Sequence, residues 1–200
     1  MLKALSESLL SLVFPLSCEI CGDLLPLRNT GGLCGTCQRT IPLIPAPHCP
    51  KCGRFSSEFM PDCALCRTER FHFDKAYGAV YYDGRAKELL RAFKFARRSL
   101  LEKPLLELLT RFIRENNIAG DWNGIVAVPM HPVQRFERGF NQAQILAEGV
   151  SKIFRRPFLA GTLKVNRSRR PQSSLGKAER KENVRNHFSV GPKIKVLGKK

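Results

Sequence analysis

All eight cysteines of this chain fall into four Cys-x-x-Cys pairs: Cys18/Cys21, Cys34/Cys37, Cys49/Cys52 and Cys63/Cys66. A pair at this spacing forms a knuckle whose backbone N–H groups face the sulfurs. Gly22 and Gly53, which follow two of the pairs, tolerate the positive φ that such a turn requires. Four thiolates satisfy the tetrahedral preference of Zn²⁺, so eight imply two structural ions. Sequential grouping gives Cys18, Cys21, Cys34 and Cys37 to one ion and Cys49, Cys52, Cys63 and Cys66 to the other. The spacers of 12 and 10 residues leave room for a hairpin between knuckles. A crossed grouping, with alternate pairs sharing an ion, is also compatible with the spacing. His48 and His72 lie near knuckles and are bystanders if cysteines fill both sites. Disulfides would need an oxidising compartment, and a redox Cys-x-x-Cys normally occurs once, beside a βαβ unit; neither suits four tandem pairs.

Two hundred residues accommodate one ordinary domain and a small one. The segment 14–68 is short and rich in Pro and Gly, so metal must supply its folding energy. Residues 71–200 are numerous enough for a hydrophobic core. No apolar run is long enough to span a bilayer. The formal charge is +17, and from His131 onward 17 Lys and Arg stand against Glu137, Glu148, Glu179 and Glu182. Such a field attracts nucleic acid or phosphorylated small molecules.

Residues 1–13 read as an amphipathic helix with Leu2, Leu5, Leu9 and Leu12 on one stripe. Ser6, Glu7 and Ser8 interrupt it and no small-residue cleavage site follows, so it does not read as a secretory signal. Ile41 to Pro47 is a stiff, extended connector, because Pro42, Pro45 and Pro47 block helix. Ala76–Tyr82 reads as a strand ended by Asp83-Gly84. A helix follows over Arg85–Phe95, with Leu89, Leu90 and Phe93 inward and Arg91, Lys94, Arg97 and Arg98 exposed. Another covers Leu101–Asn117, with Leu101, Leu105, Leu108 and Phe112 inward. Ile125–Pro129 has the apolar character of a buried parallel strand. A basic loop (Met130–Gly139) leads to a helix over Phe140–Phe154, its inward stripe Phe140, Ala143, Ala147, Val150 and Phe154. Phe158–Val165 and His187–Val190 read as strands, and Lys177–Val184 as a helix. The alternation argues for an α/β sheet.

Open α/β sheets bind ligands at the C-terminal ends of their strands, where Pro129 to Gln142 lies. Arg135 and Arg138 offer planar donor forks there, and the helix start would add free N–H groups, a combination suited to pyrophosphate or a solvated basic loop. Arg167 to Leu175, with Arg169 and Arg170, is a second basic loop, able to close on a phosphorylated ligand or track a nucleic-acid backbone. Lys94 is a third candidate, although a lone helix lysine commonly belongs to the wet face. Phe55, Phe59, Phe71 and Phe73 could stack on bases or cover the small zinc core.

Together these residues carry a resemblance. Its pieces are Phe14-Pro15 before paired knuckles, Tyr82 with Lys94-Phe95, and Val128-Pro129 with Arg138-Gly139-Phe140-Asn141-Gln142 and Leu146-Ala147. Arg169, Gln172, Leu175, Arg180, Asn183-Val184 and Phe188 complete it. The pattern resembles the ComF family over essentially the whole chain, most specifically at Arg-Gly-Phe-Asn-Gln. The resemblance implies a double zinc ribbon (14–68) joined to a type I phosphoribosyltransferase-like, Rossmann-like parallel sheet (71–200). It implies a cytoplasmic competence or DNA-uptake factor acting on single-stranded DNA, with a competence helicase or other uptake protein as partner. It places Arg135 and Arg138 in a pyrophosphate loop and Arg169 to Lys177 in a flexible loop.

Phosphoribosyltransferases hold PRPP and Mg²⁺ with a strand ending in two acids and a Thr/Gly-rich turn. No such segment occurs here, and Val196 to Lys200 is where its lead-in would sit. The expectation is therefore a domain lacking its C-terminal part, with apolar helix faces and strand edges uncovered and no catalytic residue assigned. Phosphoribosyl transfer would then belong only to a longer chain. A third reading, a zinc-dependent protein-docking adaptor, is left open by the sequence.

Overall fold

The computed structural model describes residues 16–26, 29, 31–56, 58–59, 61–95, 99–118, 120, 122–166 and 176–191. The expected helix over residues 1–13, Phe14-Pro15, Arg97, Arg98, the loop bearing Arg169 and Arg170, and residues 192–200 lie outside them.

Two similar ribbons open the described chain. In the first, a bridge between Ser17 and Leu24 closes a knuckle in which Cys18 N–H donates to Asp23 O (2.8 Å) and Gly22 N–H to Cys18 O (2.9 Å). The second repeats it: His48 bridges Phe55, Cys49 N–H donates to Arg54 O (2.8 Å) and Gly53 N–H to Cys49 O (3.0 Å). Gly22 and Gly53 have φ of 77° and 69°, a region that costs glycine little. The second half of each ribbon is one short helix, α1 (Gly35–Arg39) after Cys34 and α2 (Ala64–Thr68) after Cys63. A threonine at each helix end bonds back one turn, Thr40 Oγ1 to Thr36 O and Thr68 Oγ1 to Ala64 O.

Helix α3 (Gly84–Phe95) and helix α4 (Glu102–Glu115), entered through a 3-10 turn at Ser99–Leu101, follow the ribbons. Their inward stripes are those that the 3.6-residue period predicts. Ala86, Leu89 and Phe93 of α3, Leu101, and Leu105 and Leu108 of α4 are buried in one cluster. That cluster also contains Leu25, Leu33 and Ile41 of the first ribbon and two of its cysteines, Cys18 and Cys37. The first ribbon and the helices therefore share a core.

The expected strand Ala76–Tyr82 is reduced to a single bridge, Val80 with Leu43. Its backbone pairs with the zinc-bearing part of the chain: Ile44 N–H donates to Ala79 O (3.0 Å) and Ala76 N–H to Lys51 O (2.7 Å). These bonds bind connector and second knuckle to the start of α3 and leave no ladder for an α/β sheet.

Beyond α4, the loop expected over Met130–Gly139 contains a helix, α5 (Pro132–Arg138), and α6 (Gln142–Phe154) packs on α4. Gly149 permits that approach, because a Cβ there would lie 2.4 Å from Leu106 Cδ1. The strands β1 (Leu163–Val165) and β2 (Phe188–Val190), separated by α7 (Lys177–Val184), pair antiparallel with Leu163 opposite Val190 and Val165 opposite Phe188.

The expected parallel sheet is not formed among the described residues. Among the described residues, parallel pairing is confined to one bridge, Ile125 with Phe158. The expected strand Phe158–Val165 is broken at Gly161 (φ 74°), where the Thr162 hydroxyl donates to Leu159 O at 2.8 Å. Val126 and Val128 are 37% and 58% exposed instead of buried, since no described strand pairs with the far edge of their segment. Beside them Leu109, Ile113, Trp122, Ile125, Ala147 and Val150 line an apolar trough of about 400 Å³. No described helix is long and apolar enough to cross a membrane.

Phe93 sits at the centre of the shared core with about 1% of its surface exposed. Phe93→Ala should lower unfolding free energy by about 3–5 kcal/mol in urea titrations, and the loss should extend to the first ribbon.

Candidate metal centres and basic surface

The eight thiols form two clusters. Cys18, Cys21, Cys34 and Cys37 bring their sulfurs within 4.8 Å of one another, as do Cys49, Cys52, Cys63 and Cys66. This is the sequential grouping, and the crossed one does not occur. Sγ–Sγ separations of 3.7 Å (Cys21–Cys34), 3.8 Å (Cys49–Cys66) and 3.5 Å (Cys52–Cys63) bracket the geometry of a zinc tetrahedron. Zn–S bonds of about 2.3 Å place tetrahedral sulfurs about 3.8 Å apart. The thiols fit two structural Zn²⁺ ions. His48 is a bystander, its ring centroid 6.0 Å from Tyr77 and 6.4 Å from Phe112.

The knuckles also set the charge state of the sulfurs. Burial raises the pKa of Cys18, but backbone N–H groups of Cys21, Cys34 and Ile20 outweigh it and bring the thiol down to about 6. Cys49 repeats this in the second site: burial opposes, N–H groups of Cys52, Cys63 and Lys51 prevail, and the value is again about 6. Cys63 is lowered as well, first by the Cys66 backbone N–H. Each site thus has a ready anion. Other thiols resist joining it: burial, with the adjacent thiols, pushes Cys37 up to about 11, and burial likewise raises Cys52 and Cys66. Four thiolates in one tetrahedron repel one another, and a divalent cation removes that conflict.

The basic surface is built around α5 and the start of α6. His131 caps α5 by accepting from Val133 N–H (3.3 Å), Pro132 occupies its first turn, and Gly139 ends it with φ 84°. Arg135 and Arg138 are carried on this helix, not on an open loop. Asn141 is buried and clasps both sides. Its Oδ1 accepts from Ala143 N–H (3.0 Å) and Gln144 N–H (3.4 Å), while its Nδ2 donates to Val128 O (3.1 Å). Two of the N–H groups expected to be free for an anion at this helix start are therefore taken by the protein's own cap. The adjacent Gln142 donates from Nε2 to Lys94 O (3.2 Å), and the Phe93 and Phe140 rings pack 5.5 Å apart. The end of α3, with Lys94, is thus brought to the segment bearing Arg135 and Arg138.

Arg135 also lines a cavity of about 140 Å³ with Pro129, Met130, Asn141, Gln144 and Leu163. Of the predicted phosphate-binding residues, Lys94, Arg135 and Arg138 fall in this region, while Arg169 and Arg170 lie outside the described residues. The sequence reading missed α5 and the Asn141 clasp. Pro132 and Gly139 at the two ends of a short helix were the available signal.

The purified protein should carry two zinc equivalents per chain by elemental analysis. The sites should differ when broken. Cys18→Ser should lose one zinc and most of the cooperative melt, because that thiol lies in the shared core. Cys63→Ser should lose one zinc and retain most helical circular dichroism. Gly53→Ala should also empty the second site, since its Cβ would stand 2.5 Å from Ala76 O at a positive φ.

Comparison with known proteins agrees with this geometry. Residues 9–68 match the double zinc ribbon domain. The chain is 27% identical to competence protein F of Haemophilus influenzae over 181 residues, covering 88% of this chain and 77% of that protein. It is 26% identical over 182 residues to the DNA utilization protein YhgH of Escherichia coli K12, covering 90% and 79% of the two chains. The YhgH protein of Salmonella typhimurium gives the same figures. No solved structure matches significantly. The paired four-cysteine ribbons, followed by a chain that aligns with competence and DNA utilization proteins along most of its length, support the resemblance to the ComF family.

Proposed function

We propose that this protein is a cytoplasmic DNA-handling factor of the competence type that binds single-stranded DNA through its basic surface. The observation that carries the reading is the junction of Lys94 with the Arg135/Arg138 helix. The Gln142–Lys94 hydrogen bond joins two cationic segments far apart in sequence. Cations gathered in this way bind a polyanion by releasing its counterions. The names of the relatives, competence protein and DNA utilization protein, support the same role. Arg169 and Arg170 are proposed to contact phosphate groups as well, and a competence helicase or other uptake protein is the proposed partner. Zinc–thiolate sites suit a reducing compartment, which supports the cytoplasmic assignment.

The domain after the ribbons is proposed to be phosphoribosyltransferase-like, with the cavity beside Arg135 as a phosphate pocket. PRPP with Mg²⁺ does not fit that pocket as described: none of its lining residues is a carboxylate that could hold the ribose hydroxyls or the metal. We derive no transfer step from it.

The double variant Arg135→Gln/Arg138→Gln should weaken binding of a labelled oligothymidylate and lower the slope of log affinity against log salt by about 1.4. Unchanged affinity and slope in a zinc-replete variant would remove these arginines from the interface.

A further inference from the structure

Helix α3 carries a cationic stripe that the basic loops do not account for. Ala86, Leu89 and Phe93 point into the core, so the helical period turns Lys87, Arg91 and Lys94 to the opposite side. They follow at i, i+4 and i+7, and Glu88 falls on the other flank. Like charges at this spacing repel unless something neutralises them. No carboxylate among the described residues pairs with any of the three.

Each end of the stripe adds a feature. At the N-terminal end, Tyr81 and Tyr82 precede the helix and stand 42% and 58% exposed. They have the apolar face that an unstacked base covers. At the C-terminal end, the Lys94 carbonyl accepts from Gln142 at the start of α6, the helix that follows the α5 arginines Arg135 and Arg138. Lys87, Arg91 and Lys94 rise along the axis by steps of about 6 and 4.5 Å. The result is a line of cations, aromatic at one end and joined to the α5 arginines at the other.

We infer that the outer face of α3 is a track for single-stranded nucleic acid. Its backbone runs along Lys87, Arg91 and Lys94 toward α5, and a base stacks on Tyr82. This rests on the reading of the protein as a single-stranded DNA binder and adds Lys87, Arg91 and Tyr82 to the residues that would carry it. A single strand is favoured over a duplex because the tyrosines need an unpaired base face. A narrow row of three cations also suits one flexible backbone.

The test uses the full zinc-loaded chain and a fluorescein-labelled oligothymidylate of about 15 nucleotides, titrated from about 50 to 200 mM salt. Lys87→Gln/Arg91→Gln/Lys94→Gln should weaken binding at least tenfold at low salt and lower the log–log slope by about 2. Tyr82→Ala should weaken binding severalfold with the slope unchanged, and Tyr82→Phe should restore it. These side chains lie outside the core, and two zinc equivalents with an unaltered melt confirm that each variant folds. If the wild type binds and the triple variant binds equally well with the same slope, the track is wrong while the proposed DNA-binding role stands. If the wild type binds no oligonucleotide, both are wrong. Equal protection by a duplex competitor of the same length would overturn the single-strand assignment.

Discussion

The gathering of four sulfurs at the first ribbon is the constraint on which the rest of the molecule rests. Cys18 and Cys37 belong to a four-sulfur cluster that fits a metal ion and are also wall residues of the core that holds Leu89, Phe93 and Leu101. A thiol in that position is poor packing material when it carries an uncompensated charge, and a poor ligand when it keeps its proton. A bound divalent ion would reconcile these roles, and hydrophobic burial around the sulfurs fixes α3 and α4. The second ribbon has the same internal geometry and a looser setting. It reaches the helices through the His48, Tyr77 and Phe112 rings and the backbone bonds of residues 76–80. Two nearly identical devices therefore do unequal structural work, and the difference lies in what surrounds them.

The parts legible in the sequence were those whose cause is local. Cysteine spacing specified two sites, although only the folded chain selects sequential over crossed pairing. The periods of α3 and α4 named Leu89, Leu90, Phe93, Leu101, Leu105, Leu108 and Phe112 as inward; Leu90 is half-buried and the others are buried. What escaped depends on distant partners. Ala76–Tyr82 has strand composition, yet its hydrogen bonds go to the connector and second knuckle, which no alternation of side chains reveals. Val126 and Val128 have the character of buried strand residues, and burial requires a neighbour on each face. Helix α5 was a different kind of miss, since its cap signals were present within seven residues of basic sequence.

The basic surface shows how a diffuse property becomes a located one. A net charge of +17 is compatible with cations spread over the whole molecule. Folding concentrates part of that charge by placing the end of α3 against the start of α6, through a buried amide and a pair of phenylalanine rings. None of those contacts involves a charged side chain. The cations are positioned by neutral residues beneath them, so their arrangement persists at salt concentrations that screen their mutual field.

Asn141 sets the scope for variation in this region. One carboxamide holds Val128 before the α5 helix and Ala143 and Gln144 after it. Everything between those anchors is a closed ring whose ends stay put whatever the ring contains. Substitutions can then be tried among the exposed residues of 130–138 without unfastening α6 from the body of the protein. A segment held in this manner is a cartridge in a socket: its exposed charges can be exchanged while the Asn141 clasp that receives it remains the same.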